Sequence, residues 1–197
     1  METKSLLIET ILIQNGRVRN IKYHNQRCNS SRKALFGSKN KIDLRKAIDT
    51  SKAASDNVKC RITYGEEITN VEYESYTIRP IHSLAYVEVG GFDYSHKYAD
   101  RKQLKRFFDK RGDKDDILMT KNGLLTDTYY SNVALLKNGK WYTPKYPLLE
   151  GTRRAKLILD KRILPTEIYI DQINEYEAIA IFNAMIPFKR IVIPIYK

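Results

Sequence analysis

The residues of this chain that can do chemistry are constrained more by their spacing than by their number. His24, His82 and His96 lie far apart and form no His-Glu-x-x-His pair, which removes the usual helical zinc site. Cys28 and Cys60 form no Cys-x-x-Cys and cannot alone supply a zinc site or a disulfide framework. No Gly-x-Gly-x-x-Gly turn, Walker loop or Gly-x-Ser-x-Gly elbow occurs. What remains is a series of polar blocks. They are Tyr23-His24-Asn25-Gln26-Arg27, His96-Lys97-Tyr98-Ala99-Asp100-Arg101, Thr126-Asp127-Thr128-Tyr129-Tyr130-Ser131-Asn132, Gly151-Thr152-Arg153-Arg154 and Asn183-Ala184. A lysine becomes a nucleophile when it is partly desolvated. An arginine fork suits a phosphate, and a Gly-Thr pair opening a helix offers N–H groups to one. Each residue also has an ordinary reading. Lys97 can be a solvated surface group, Asp127 a turn or cap aspartate, Thr152 an N-cap and Arg101 a helix-surface arginine.

These blocks need elements to position them. Residues 6–12 read as an apolar strand, Asn15-Gly16 as a two-residue hairpin turn and residues 17–21 as its return. Helical spacing follows over 23–36, closed by Gly37, and a second helix is expected over 44–55. Strands are expected at 58–64, 71–78 and 83–89, giving a mostly antiparallel α+β unit. After Gly90-Gly91 the pattern gives a helix over 100–110, a strand at 116–120 and a turn at Asn122-Gly123. Strands at 133–137 and 140–143 flank a turn at Asn138-Gly139. A helix over 152–162 and strands near 167–170, 178–182 and 190–195 complete the chain. The simplest division is a small domain over 1–89, a linker over 90–96 and a larger domain over 97–197.

Composition sets the outer bounds. The 197 residues are 42% hydrophobic and 29% charged, as in an ordinary globular protein, which excludes collagen-like and disordered classes. No apolar run reaches the roughly 18–20 residues needed to cross a bilayer, and residues 1–4 open no signal peptide. Two reduced thiols and no leader give a cytoplasmic expectation with no membrane partner. Lys and Arg number 35 against 23 Asp and Glu, a formal net charge of +12. That field attracts anions, but the basic residues are scattered and no nucleic-acid-binding motif accompanies them, so no nucleic-acid partner is expected.

Taken in order, several blocks resemble the class IV aminotransferases, the fold-type IV group of pyridoxal-phosphate (PLP) enzymes. They run from residues 23–31 through Lys97-Tyr98-Ala99-Asp100-Arg101, residues 124–134, Trp141-Tyr142-Thr143-Pro144 and residues 147–154 to Phe182-Asn183-Ala184-Met185-Ile186-Pro187. The last run is most similar to the aminodeoxychorismate lyase branch. The resemblance covers nearly the whole chain and rests on the order and spacing of the blocks. It implies a two-domain α/β (α+β) fold binding pyridoxal 5'-phosphate. Lys97 matches the lysine that attaches the cofactor. Asp127, five residues before Asn132, takes the place of the family's glutamate as the carboxylate facing the pyridine nitrogen. Arg27 matches the phosphate-binding arginine; Gly151, Thr152, Asn183 and Ala184 complete the phosphate cup; Arg101 matches a position near the cofactor ring; His24 matches a supporting residue. Two departures stand out. Asp127 is one methylene shorter than the family's glutamate, and the chain starts about where the family's first cofactor-side strand does.

The resemblance implies a homodimeric lyase that converts 4-amino-4-deoxychorismate into 4-aminobenzoate and pyruvate for folate synthesis. A small amino substrate with carboxylates suits the positive field, with Arg79, Arg101 and Arg106 as candidate carboxylate partners. The alternatives are a branched-chain or D-amino-acid aminotransferase of the same family and, in another class, a non-catalytic basic nucleic-acid-binding protein.

Overall fold

The computed structural model describes residues 5–196 and divides into two compact units. The first runs to Ile78 and takes back His96–Asp100; the second holds Arg79–Ser95 and everything from Arg101 on.

The first unit opens with β1 (Leu7–Gln14) and β2 (Arg17–Val18), joined by Asn15-Gly16, both at positive φ as a tight hairpin requires. The return strand is shorter than the sequence suggests. Asn20 adopts φ 53°, which ends the extended chain and starts α1 (Ile21–Phe36). Helix α1 buries His24, Cys28, Ser31 and Arg32, spaced as one face, and stops at Gly37, whose N–H returns to the carbonyls of Arg32 and Lys33. The expected helix over 44–55 is only α2 (Leu44–Ala47) and a separate 3-10 turn at Thr50–Lys52. Asp43 caps the first and Asp49 the second, with Ile48 extended between them, so local capping overrides the apolar spacing. Strands β3 (Asn57–Tyr64) and β4 (Ile68–Ser75) complete an antiparallel sheet of order β2-β1-β3-β4. Its core is Leu7, Ile11, Ile13, Leu44, Val58 and Ile62 with the free thiols of Cys28 and Cys60. Burial pushes those thiols up to about 12 and about 11 respectively.

The second unit contains β5 (Leu84–Glu88), α3 (Lys102–Phe108), β6 (Asp116–Lys121), β7 (Leu124–Thr128), β8 (Asn132–Lys137) and β9 (Lys140–Pro144). It continues through α4 (Thr152–Leu159), β10 (Leu164–Thr166), β11 (Ala178–Phe182) and β12 (Ile191–Pro194). The sheet runs β10-β9-β8-β7-β6-β5, with β11 between β8 and β12. Strands β5 and β6 pair in parallel, as do β9 and β10; the other pairs are antiparallel. A core of Ala134, Leu157, Ile163 and Phe182 packs α4 against β8 and β11.

Three expectations shift here. The division at 89/97 moves, because β5 pairs with β6 rather than with the first sheet, while residues 96–100 return to β1 through the Leu7–Tyr98 bridge. The strand expected near 167–170 lies at Leu164–Thr166 instead. Strand β7, which carries Asp127, has no counterpart in the sequence reading, because it is buried on both faces and three of its buried residues, Thr126, Asp127 and Thr128, are polar.

Candidate active site

The first unit holds Lys97 by its backbone. The Lys97 carbonyl accepts from Ile8 N–H at 2.9 Å, and Ala99 N–H donates to the Leu6 carbonyl at 2.8 Å, so the segment lies along the edge of β1. Next door, Nδ1 of His96 is 3.0 Å from the buried Ser31 hydroxyl on α1. Lys97 is near enough to His24 for its charge to weaken protonation of that imidazole.

Beside this segment lies a buried cluster that the sequence reading missed at its centre. Glu9 on β1 is fully buried and is met by two residues one turn apart on the same face of α1. Arg27 grips it bidentately, Nε to Oε1 at 2.8 Å and Nη2 to Oε2 at 2.7 Å. Nδ1 of His24 lies 2.5 Å from Oε2. Burial opposes ionisation of Glu9, but the Arg27 charge and the hydrogen bonds from His24 and Arg27 outweigh it and bring its pKa down to about 2. Burial also lowers the His24 pKa, against the pull of Glu9. The pair is therefore Glu9⁻–Arg27⁺, with His24 donating as a neutral ring, since a carboxylate can only accept. One signal pointed to Glu9: it is the single charge inside the apolar run of residues 6–12.

The second unit assembles most of the other expected residues. Asp127, at 5% exposure, accepts from Asn132 Nδ2 at 2.7 Å and from Leu149 N–H at 2.9 Å. Register places Asp127 and Asn132 directly opposite each other on β7 and β8. Asn132 Nδ2 also donates to the Leu149 carbonyl, at 2.9 Å. Burial pushes the Asp127 carboxyl up to about 6, against its hydrogen bonds from Leu149 and Asn132 and the charge of Arg154. Gly151 caps α4, and the side-chain oxygen of Asn132 stands 1.9 Å from where a Cβ on Gly151 would lie. Asp127, Asn132, Gly151 and the buried Thr152 are thus one connected corner.

Helix α4 has no side-chain cap and no acidic residue in its first turn. Its start is therefore a donor-rich, electropositive end suited to an anion. Arg153, which the sequence reading did not single out, ties this end to the last loop: Nε donates to the Asn183 carbonyl at 2.5 Å and Nη2 to the Ala184 carbonyl at 3.0 Å. The Asn183 side chain is engaged within the loop. It donates to Ser131 Oγ at 2.9 Å and accepts from Met185 and Ile186 N–H, each at 2.8 Å. Arg101 stands apart from this corner. Its guanidinium lies 4.7 Å over the Tyr129 ring and donates to the Tyr129 carbonyl at 3.1 Å. Among the described residues no group of three or more His, Cys, Asp or Glu can hold a metal ion, and no helix is long and apolar enough to cross a membrane.

The small antiparallel unit carrying Lys97 and the mixed-sheet unit carrying Asp127 give the fold of the fold-type IV enzymes. The chain belongs to the class IV amino-transferases, whose family pattern matches residues 94–193. It is 35% identical to an uncharacterised protein of Haemophilus influenzae over 182 residues, 91% of this chain and 97% of that one. A crystal structure of a candidate 4-amino-4-deoxychorismate lyase from Haemophilus somnus 129PT superposes with a TM-score of 0.86 at 34% identity, over 94% of this chain and 99% of that one. A PLP-bound hypothetical aminotransferase from Mycobacterium tuberculosis shares the fold, with a TM-score of 0.79 at 16% identity, over 96% of this chain and 81% of that one.

Proposed function

We propose that this chain is a PLP-dependent 4-amino-4-deoxychorismate lyase that releases 4-aminobenzoate and pyruvate. The observation that carries the reading is the near end-to-end match, at 34% identity, to the candidate lyase. The donor set fits the cofactor. The uncapped start of α4 suits a phosphate, the buried Asp127 suits a protonated ring nitrogen, and Lys97 supplies an amine for covalent attachment. A protonated nitrogen facing Asp127 would bring its raised pKa back down, which couples binding to ionisation of the carboxylate.

In this reading the N–H groups at Gly151, Thr152 and Ala184 would hold the phosphate, with Asn183 shaping the loop that carries Ala184. Arg27, which the resemblance assigns to the phosphate, is held by Glu9 through Nε and Nη2. Asn132 keeps Asp127 aimed, and Arg101 would be a ring-side residue, as the family resemblance implies. Bound PLP supplies an electron sink for charge developing beside the substrate nitrogen. The Lys97 amine would take the proton from the amine-bearing carbon and return one to the departing enolpyruvyl carbon. The C–O bond to that group breaks, the ring becomes aromatic, and pyruvate leaves. A homodimer acting in the cytoplasm within folate synthesis belongs to the same reading.

The test is pyruvate release from aminodeoxychorismate with no keto acid present. The lyase reading expects release, with only slow conversion of the cofactor to its amine form by D-alanine or L-leucine. Rapid conversion by either amino acid, without pyruvate from aminodeoxychorismate, would move the chain to the aminotransferase reading.

A further inference from the structure

The loop after β11 holds its peptides by two separate means. The Asn183 side chain accepts from Met185 and Ile186 N–H, each at 2.8 Å, and Asn183 N–H returns to the Ile186 carbonyl at 3.2 Å. That ring of bonds leaves out the peptide joining Asn183 to Ala184. Among the described residues its carbonyl is bonded by Arg153 alone, through Nε at 2.5 Å, and its N–H donates to no group. Nη2 of the same guanidinium takes the Ala184 carbonyl at 3.0 Å. One side chain from the first turn of α4 therefore sets two successive peptide planes of a loop 30 residues away.

A trans peptide is planar and points its N–H opposite to its C=O. With the Asn183 carbonyl drawn to Arg153, the Ala184 N–H is turned outward from the guanidinium. Without that hold, a half-turn of the peptide puts a carbonyl, which repels an anion, in place of an N–H, which attracts one. Arg153 also brings charge. It makes no ion pair among the described residues, and burial opposes its protonation. Its neighbour Arg154 differs: it donates to the Pro144 carbonyl and feels the carboxylates of Asp127 and Glu150. The start of α4, with no side-chain cap and no acid in its first turn, thus carries a partly buried guanidinium that no carboxylate offsets.

We propose that Arg153 is a positioning residue for anion binding: by holding the Asn183 and Ala184 carbonyls it keeps the Ala184 N–H presented to the cofactor's phosphate. The proposal rests on the PLP reading for the identity of that phosphate. Arg153 acts through the peptide it orients, and a lysine in its place keeps the charge but loses the fork that spans both carbonyls.

The test uses the full chain without cofactor, isotope-labelled at alanine. The Ala184 amide resonance is followed by NMR as inorganic phosphate is added, and affinities for PLP and for pyridoxal, the same aldehyde without its phosphate, are measured by equilibrium dialysis. In the wild-type chain phosphate should shift the Ala184 resonance, and PLP should bind more tightly than pyridoxal. Arg153→Gln should weaken both phosphate and PLP about tenfold or more, as expected for turning a donor away from an anion, and leave pyridoxal little changed. Arg153→Lys should fall between the two. Should Arg153→Gln fail to fold, Arg153→Lys carries the comparison, its loss of PLP again exceeding its loss of pyridoxal. An Ala184 resonance that ignores phosphate in the wild-type chain, wild-type PLP affinity in the variants, or equal losses of PLP and pyridoxal would each overturn the proposal. Failure of the wild-type chain to load PLP, alongside Arg153-dependent phosphate binding, would overturn the PLP reading and leave the positioning role standing.

Discussion

Asn132 and Gly151 are locked together: a methyl group on residue 151 would sit 1.9 Å from the Asn132 side-chain oxygen, inside any permissible contact. The same amide holds Asp127 through its nitrogen, so the smallest possible side chain at 151 is what lets β8 aim the carboxylate of β7.

Gly151→Ala should therefore act through Asn132. Overpacking a tight site costs about 1–3 kcal/mol, read as a drop in chemical-denaturation stability, and displacing the amide should also weaken PLP binding. Adding Asn132→Ala should remove most of the extra cost of the Gly151 change, a non-additivity expected of residues in contact. Strictly additive effects would show that the two positions do not communicate.

Breaking the pair that Glu9 makes with Arg27 leaves a charge without its partner. Glu9→Ala should destabilise the chain by about 3–5 kcal/mol at neutral pH. The folded pKa of about 2 lies below the ordinary 4.5, so the unfolded chain binds more protons between those values. Stability from Glu9 is then complete above about 4.5 and is lost as pH falls towards 2. Urea denaturation at pH 7, 4 and 3 checks this, because the gap between wild type and variant should narrow as the pH falls. A constant gap would contradict it.

Asp127 has the opposite sign. Its folded pKa of about 6 lies above the ordinary 3.8, so the folded chain holds the proton more tightly across that window. Without cofactor, Asp127 should cost stability as pH rises from about 4 to 6, at about 1.4 kcal/mol per unit of displacement. Asp127→Asn should flatten that part of the stability profile. An unchanged slope between pH 4 and 6 would assign it to another group.

For Lys97 the measurement is chemical. Borohydride reduction of the PLP-loaded chain followed by peptide mapping should label Lys97, and Lys97→Ala should lose both the visible absorbance and the activity while keeping its far-ultraviolet circular dichroism. A label on any other lysine would sink the assignment.

Where elements are decided locally, the sequence was readable. All three Asn-Gly pairs adopt the positive φ of tight turns, and α1 ends at its glycine. Strand β7 was hidden because Thr126 and Asp127 are buried polar residues, satisfied by the Met119 carbonyl and by Asn132 with Leu149, so alternation of hydrophobicity disappears. The place of β5 was equally illegible, since its partner β6 lies beyond α3 and parallel pairing leaves no local mark. Of the site, the motif order anticipated the corner of Asp127, Asn132 and Gly151. Glu9 was passed over because a charge in an apolar strand is informative only once its partners on α1 are in view. Arg153 was passed over because its targets are backbone carbonyls, which carry no residue-type signature.

Because residues 96–100 return to the edge of β1, the first unit cannot close in the order in which it is synthesised. A nascent chain that has reached Ile78 already owns every strand of that sheet, yet the Leu7–Ile8 edge still presents unpaired backbone groups. Eighteen or more further residues, including one strand of the other unit, must leave the ribosome before the lysine-bearing segment covers it, taking about 1–4 s at ordinary elongation rates. A truncation placed just before Lys97 would leave an open, adhesive strand edge as well as an inactive chain.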